Sequence, residues 1–207
     1  MQIGFKDPVY LASQQSDLGL ECGKSLPLER QMVNRNLTEP WFYYFAYGSC
    51  MCPVDLKRTL GENMIPFVVG HATLQGYRLG FYRRSLRRNC GALDVVQDSN
   101  SRVEGVLYQL PCRFSNQLDE REEVPHGGYR HETIEVICRG QPISNVRTYV
   151  VVDKLAEELA PNDWYFSVVM RGAVTCGLPE QYCWQLFHHM HCLQRNQLTD
   201  GSWPKTA

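Results

Sequence analysis

Residues 41–53 read WFYYFAYGSCMCP, an aromatic run that ends abruptly at Gly-Ser and is followed by two cysteines one residue apart. Aromatic residues favour β-structure, so the run predicts a buried strand that stops at Gly48. Proline suits the first turn of a helix, and Pro53 therefore predicts a helix over VDLKRTL that closes at Gly61. The stretch leaves open whether the chemistry lies in the two cysteines or in the turn before them.

The rest of the chain consists of short apolar segments separated by turn residues, and its last third has a helical pattern. Strands are predicted over 66–82, 90–96, 101–110, 133–138 and 146–152, and helices over 115–124, 163–177 and 178–194. DSNS (98–101) predicts a turn between two strands, and Ser115 is the predicted N-cap of its helix. Many short strands followed by helices indicate an α+β fold over residues 41–200, a small mixed β-barrel or sheet with flanking helices. Residues 1–40 are polar and poorly periodic, and we expect an N-terminal extension there that is loosely packed or partly disordered.

The composition is that of an ordinary globular protein, with 43% hydrophobic and 21% charged residues. A formal net charge of −1 gives no general attraction to nucleic acid or to an anionic membrane. No apolar run approaches the roughly 20 residues that a membrane-spanning helix requires, and the N-terminus lacks the pattern of a secretion signal. Nine cysteines without paired spacing favour reduced thiols over a disulfide framework. We therefore expect a soluble cytoplasmic protein that binds neither nucleic acid nor membrane.

Two groups of residues could be interpreted as a metal site. Cys50 and Cys52 supply at most two thiolates, whereas a structural zinc ion needs about four ligands. The HHMHC segment (188–192) and Cys183 lie on one helical segment, and no CxxC elsewhere matches them. We expect packing and surface roles for these residues, and no metal or other cofactor. A metal- or redox-linked function is kept as a third alternative.

RRSLRR (83–88) is the only concentrated basic run of the sequence. A contact with RNA or phosphate is conceivable, but the run has no interleaved aromatic residues and no recognisable nucleic-acid motif. The favoured interpretation is the solvated tip of a hairpin.

The segment LDEREEV (118–124) contains four carboxylates within five residues. Mutual repulsion and burial raise the pKa of a carboxylate in such a cluster, which suits a general base that must later return its proton. Composition alone favours a solvated acidic helix face. Helical spacing, however, places Glu122 on the same side as Leu118, so Glu122 is the acidic residue best placed to face the interior.

The motifs FAYGS (45–49), GYRLGF (76–81), EGVLY (104–108), LDEREEV with Tyr129, and GLPEQY (177–182) follow one another along the chain. In this order they resemble the γ-glutamylcyclotransferase family, and the resemblance runs from about residue 43 to residue 193. Each motif alone is weak, whereas five in the right order are specific. The resemblance implies the family's fold, a small β-barrel-like sheet with helices packed around it.

The resemblance also implies a reaction, the cyclisation of a γ-glutamyl group to 5-oxoproline with release of the attached amino acid or amine. It assigns the role of general acid and base to Glu122, and it needs no cofactor. Substrate-binding residues are carried over from the family to Tyr44, Phe45, Ala46, Tyr47, Gly48, Ser49 and Tyr165. The expected partner is a small γ-glutamyl compound, and a homodimer is possible.

Two positions depart from the family pattern. Cys50 stands where the family has asparagine after YGS, and Glu123 stands where it has glycine after the glutamate. These changes motivate an alternative function, a binding or regulatory module that keeps the fold without turnover. The γ-glutamyl substrate and its leaving group are left open by the sequence.

Overall fold

The computed structural model describes residues 39–199, and the predicted N-terminal extension lies outside these residues except for its last two. The five strands of the described part are β1 (Trp41–Ala46), β2 (Val68–Ser85), β3 (Cys90–Pro111), β4 (Tyr129–Cys138) and β5 (Gln141–Val151). The helices of the same part are α1 (Pro53–Leu60), α2 (Ser115–Arg121), α3 (Asp163–Thr175) and α4 (Glu180–Thr199). The strands form a closed barrel in the order β1-β3-β2-β4-β5. The α+β fold class and the barrel are therefore confirmed.

The aromatic strand β1 closes the barrel. It pairs antiparallel with β3, where Tyr44 lies opposite Tyr108, and parallel with β5, where Tyr44 lies opposite Arg147. Both edges of β1 are thus hydrogen-bonded, and the side chains of Tyr44 and Phe45 are buried. The predicted buried strand that ends before Gly48 is confirmed.

The predicted turn at DSNS is wrong, because residues 98–101 lie inside the long strand β3. The side chain of Asp98 accepts hydrogen bonds from the Asn100 amide, at 3.1 Å, and from the Ser101 hydroxyl, at 2.8 Å. These local bonds accommodate the extra residues while the pairing with β2 continues on both sides with a shift in register. The polar stretch is therefore an irregularity within one hairpin.

The two short helices, α1 and α2, differ in how well the sequence predicts their ends. α1 begins at Pro53 and ends at Gly61, whose φ of +78° lies in the left-handed region, as the sequence predicts. Ser115, in contrast, is the first residue of α2 and not its N-cap, and no side chain caps this helix. The Ser115 hydroxyl instead accepts a hydrogen bond from Arg147 on β5 at 2.6 Å. The predicted cap is wrong because a tertiary partner takes the hydroxyl.

Helix α3 packs closely on the chain that follows β1. A Cβ placed on Gly172 would lie 2.6 Å from the main-chain nitrogen of Cys52, so only glycine permits this approach. At the other end of α3, the Asn162 side chain caps the helix by accepting a hydrogen bond from the Tyr165 amide at 2.8 Å. α3 thereby holds Tyr165 beside the loop after β1. No helix within residues 39–199 is long and apolar enough to cross a membrane.

Candidate active site

A cavity opens where the chain leaves β1. One wall is the loop after this strand with the 3-10 turn Ser49–Met51, a second is the end of α2, and a third is the start of α3. Of the residues that the sequence assigns to the site, these line the cavity: Tyr44, Tyr47, Gly48, Ser49, Glu122 and Tyr165. Residues far apart in the chain, predicted separately, are thus brought together.

Phe45 and Ala46 do not line the cavity. Successive side chains of a strand point to opposite faces, and the Phe45 ring is fully buried in the barrel core, on the side away from Tyr44. The Ala46 methyl group is also buried, and its carbonyl oxygen lies only 2.5 Å from where a Cβ on Gly105 would be. Their assignment to the substrate cradle therefore has no support from their side chains, which belong to the core.

Glu122 lies directly after the last residue of α2. Its main-chain amide donates a hydrogen bond to the Leu118 carbonyl at 3.0 Å, so helical spacing carries it to the side of the buried Leu118, as predicted. Its side chain is 17% exposed and borders the cavity. Oε1 of Glu122 lies 3.9 Å from Nε of Arg121. The carboxylate is thus shielded from bulk water and has a cation beside it.

The Cys50 thiol donates a hydrogen bond to Oε1 of Glu122 at 3.1 Å. Burial raises the pKa of Cys50 to about 12, against an opposing effect of the Arg121 cation. The thiol therefore stays protonated at neutral pH and acts as a donor. This contact joins the turn after β1 to the end of α2.

Arg121 stabilises the same contact between the turn after β1 and the end of α2. Its side chain is 7% exposed and forms an ion pair with the equally buried Asp55 of α1, with 2.5 Å between Nη2 and Oδ2. The same Nη2 donates a hydrogen bond to the Ser49 hydroxyl at 3.1 Å. A buried cation with a carboxylate and a hydroxyl as partners ties α1, α2 and the Ser49–Met51 turn together.

Buried tyrosines form much of the cavity wall. Burial raises the pKa of Tyr44, Tyr47, Tyr129 and Tyr165, so these phenols are neutral over the physiological range. The Tyr165 hydroxyl accepts a hydrogen bond from the Leu93 amide at 3.1 Å. The same oxygen would lie 3.1 Å from a Cβ on Gly48, so the absence of a side chain at Gly48 leaves room for the Tyr165 hydroxyl.

The acidic cluster is dispersed in the structure. Asp119 accepts hydrogen bonds from Tyr149, at 2.5 Å, and from His131, at 2.6 Å. Glu123 forms an ion pair with Arg83, with 2.5 Å between its Oε2 and Nη2. Asp119 and Glu123 thus face different partners. The mutual repulsion that we expected within the acidic cluster is therefore not met for these two carboxylates.

Glu123 occupies a backbone position that suits glycine. Its φ of +54° lies in the left-handed region, which accounts for the glycine of the family pattern at this position. In this chain the side chain turns towards the cavity, where Arg83 neutralises it. The additional negative charge beside Glu122 is thus balanced.

The basic run RRSLRR is only partly a solvated tip. Residues 86–89 form the turn of the β2–β3 hairpin, and Leu86 is 81% exposed. Arg83 and Arg88, however, line the cavity, and the Arg88 guanidinium lies 5.2 Å from the ring centre of Trp164. Sequence analysis missed both residues, because nothing local separates them from their exposed neighbours. Their closeness to one tight hairpin turn, with Arg83 before it and Arg88 within it, is the signal that could have found them.

The candidate metal ligands do not converge. Among residues 39–199, no three His, Cys, Asp or Glu residues are grouped closely enough to hold a metal ion. The nearest arrangement on α4 is His188 with Cys192, where Sγ lies 3.6 Å from Nε2. The Cys50 thiol is directed to Glu122 instead.

The arrangement has the parts of a proton-transfer site. Glu122 is a shielded carboxylate, and it faces a turn whose own hydrogen bonds begin at the Met51 amide, which donates to the Gly48 carbonyl. The amides of Ser49 and Cys50 are therefore not used inside this turn. A shielded carboxylate can move a proton, and main-chain amides that a neighbouring turn leaves unused can bind a developing negative charge.

Comparison with known proteins places these features in a family. Residues 102–186 match the AIG2-like family. The Bacillus subtilis (strain 168) protein YkqA is 33% identical over 168 residues, which are 81% of this chain and 58% of YkqA, so the chain spans less than two thirds of that relative. The mouse protein named gamma-glutamylcyclotransferase is 30% identical over 145 residues, which are 68% of this chain and 74% of the mouse protein.

Solved structures agree with these relatives. A structure of a gamma-glutamyl cyclotransferase superposes with a TM-score of 0.65 at 26% identity and covers 71% of this chain and 86% of its own. The crystal structure of YkqA superposes with a TM-score of 0.67 at 31% identity, covering 79% of this chain and 58% of its own. Sequence and fold together therefore show that the chain belongs to the γ-glutamylcyclotransferase family.

Proposed function

We propose that the chain is a γ-glutamylcyclotransferase that converts a γ-glutamyl amino acid, peptide or amine to 5-oxoproline and releases the amino acid, peptide or amine. The relatives that carry this name support the reaction class. The observation that carries the proposal for this chain is the 3.1 Å contact between Cys50 Sγ and Oε1 of Glu122. It brings the carboxylate next to the main chain of the turn after β1, within one small cavity.

The substrate supplies its own nucleophile in this reaction. Its α-ammonium loses a proton to Glu122, and the free α-amine attacks the γ-carbonyl carbon to form the new C–N bond of the five-membered ring. The old amide C–N bond then breaks as Glu122 returns this proton to the leaving nitrogen. The ring nitrogen gives its second proton to the same carboxylate, which passes it to the released amine, so that a neutral lactam and an ammonium are formed. No water is consumed and no electron is transferred, so the proposed steps need no cofactor.

Ring closure requires a folded glutamyl chain, and the cavity offers two aids to it. Aromatic walls from Tyr44 and Tyr165 restrict the conformations of the chain, which lowers the entropic barrier to attack. Negative charge develops on the γ-carbonyl oxygen, and we assign its stabilisation to the amides of Ser49 and Cys50. Gly48 allows the substrate to approach this main chain closely.

The proposal is tested by incubating the purified protein with a panel of γ-glutamyl amino acids, peptides and amines and measuring both products. We expect 5-oxoproline and the free amino compound in equal amounts from at least one member of the panel. Ligand-induced thermal stabilisation without any product would instead support the alternative of a binding module. The paired charge of Glu123 argues against that alternative, since the proposed base is not left next to an unbalanced carboxylate.

A further inference from the structure

Three guanidinium groups border the cavity, and two of them are neutralised within the protein. Arg121 pairs with Asp55, and Arg83 pairs with Glu123, each with a nitrogen–oxygen distance of 2.5 Å. Within residues 39–199 no carboxylate pairs with Arg88. Arg88 is therefore a guanidinium of the cavity wall that makes no ion pair within the described part of the chain.

Aromatic faces hold the Arg88 guanidinium in place. It lies 5.2 Å from the ring centre of Trp164 and 5.8 Å from that of Tyr165, both on the first turn of α3. The interaction of a cation with a π-system leaves the N–H groups at the edge of the guanidinium plane available for a bidentate contact with a carboxylate. Arg88 thus packs against two aromatic rings, and among residues 39–199 no carboxylate takes up its N–H groups.

The main chain around Arg88 is anchored as well. Its carbonyl oxygen accepts a hydrogen bond from the Asn162 side chain at 3.0 Å, and the Gly91 amide donates to the Ala160 carbonyl at 2.8 Å. A Cβ on Gly91 would lie 1.7 Å from the Leu159 carbonyl oxygen, so the hairpin and the segment before α3 are in direct contact. A side chain on an anchored turn loses less conformational freedom when it binds a ligand.

The position of Arg88 relative to Glu122 suggests which part of a substrate it meets. Arg121 and Glu122 lie at the end of α2, whereas Arg88 lies against the start of α3. The next step rests on the proposed function, in which the α-amine of the glutamyl group must reach Glu122. The glutamyl part of the substrate therefore occupies the α2 side. The Tyr165 hydroxyl lies beside Gly48 on this glutamyl side, whereas the Tyr165 ring packs against Arg88. The part of the substrate beyond the scissile amide then extends along Tyr165 towards Arg88.

We propose that Arg88 determines specificity by binding a carboxylate on the leaving group. The substrates that fit are γ-glutamyl amino acids and short γ-glutamyl peptides whose released part is anionic. γ-Glutamyl amines lack this carboxylate, so their leaving group offers the guanidinium no ion-pair partner. Arg88 acts on the choice of leaving group and takes no part in proton transfer.

The test compares γ-glutamylalanine with γ-glutamylethylamine, which differ only in the carboxylate of the leaving group. We expect wild-type kcat/KM to favour γ-glutamylalanine by about ten- to a hundred-fold, the usual range for a charge-assisted hydrogen-bonded pair. Arg88→Ala should reduce this ratio to near one, and Arg88→Lys should keep part of it. Because the ratio is measured within one protein, partial misfolding of a variant does not change it.

Arg84→Ala is the matched control. Arg84 belongs to the same hairpin, is exposed, and donates a hydrogen bond to Asn89 at 3.2 Å without lining the cavity. Its replacement should leave the wild-type preference intact. If Arg84→Ala and Arg88→Ala lower the ratio alike, the effect comes from the general charge of the hairpin, and the proposal is wrong.

Two other results would overturn the proposal while leaving the proposed function standing. The first is equal wild-type efficiency with both substrates. The second is an equal loss with both substrates in Arg88→Ala, which would place Arg88 on the glutamyl part. If neither substrate nor any other member of the γ-glutamyl panel yields 5-oxoproline, the proposed function fails. Calorimetric affinities of the same two compounds then test the role of Arg88. Tighter binding of γ-glutamylalanine that disappears in Arg88→Ala would support the carboxylate contact, and equal affinities would contradict it.

Discussion

The Cys50 thiol and the Glu122 carboxylate form a hydrogen bond of 3.1 Å between the turn after β1 and the end of α2. The family pattern has asparagine at the position of Cys50, and an asparagine amide can also donate to a carboxylate. The bond engages Oε1 of Glu122, and in the proposed reaction the other oxygen serves the substrate. Cys50 is therefore a positioning residue in the proposed site.

Replacing Cys50 should affect the rate more than substrate binding. In Cys50→Ala the donor to Oε1 is lost, and we expect kcat to fall by about five- to tenfold with little change in KM, the effect of losing one modest hydrogen bond. Cys50→Asn should keep most of the rate, because the amide replaces the donor. The exposed Cys112 offers a control, since Cys112→Ala should behave as wild type. Equal kcat in wild type and Cys50→Ala would contradict the positioning role.

The raised pKa of Cys50 predicts a loss of stability at high pH. Burial raises this pKa from 9.0 to about 12, so between about pH 9 and 12 the thiol ionises in the unfolded chain but not in the folded one. The stability contributed by the neutral thiol is fully present below pH 9 and decreases as the pH rises towards 12. The slope for one such proton is about 1.4 kcal/mol per pH unit.

A comparison with Cys50→Ser isolates this effect, because serine does not ionise in the range. Urea unfolding at pH 8.5 and pH 10.5 should show that wild type loses about 1–2 kcal/mol more than Cys50→Ser. The buried tyrosines are the same in both proteins, so their alkaline titration cancels in the difference. Parallel losses in the two proteins would show that Cys50 is not the titrating group.

The close approach of Gly48 and Tyr165 predicts a specific rescue. A Cβ at Gly48 would lie 3.1 Å from the Tyr165 hydroxyl oxygen, so Gly48→Ala must displace this ring or the loop. We expect a lower Tm for Gly48→Ala and a partial recovery in Gly48→Ala/Tyr165→Phe, where the hydroxyl is absent. Tyr165→Phe alone should lower Tm slightly, because the Leu93 amide loses its acceptor. A double variant that is less stable than Gly48→Ala would contradict the steric explanation.

Part of the site could be predicted because its signals are local. Helical spacing alone directs Glu122 to the side of Leu118, and the aromatic run that stops at Gly48 marks the turn. The family pattern adds Tyr165. This residue is far from the rest of the site in sequence, so no local signal predicts that it lies close to the site in space. For these residues, the order of the motifs and the helical period are sufficient to predict a place in the site.

Other parts depend on tertiary contacts that no local pattern contains. Arg83 and Arg88 resemble their solvated neighbours in sequence, and only tertiary contacts distinguish them. Arg83 pairs with Glu123, and Arg88 packs against Trp164 of α3. Serine is a favoured N-cap residue, but the hydroxyl of Ser115 accepts a hydrogen bond from Arg147 of β5 instead. Phe45 belongs to the motif, yet the alternation of β1 places its ring in the core.

The role of Glu122 in proton transfer is best measured by the rate of 5-oxoproline release from a γ-glutamyl substrate in wild type and Glu122→Gln. Glutamine keeps the shape of the side chain and can still contact Cys50, so circular dichroism and Tm should match wild type. We expect the rate to fall by about 10²- to 10⁴-fold, the usual contribution of a general acid–base group. Equal rates of release in the two proteins would show that Glu122 is not the general acid and base.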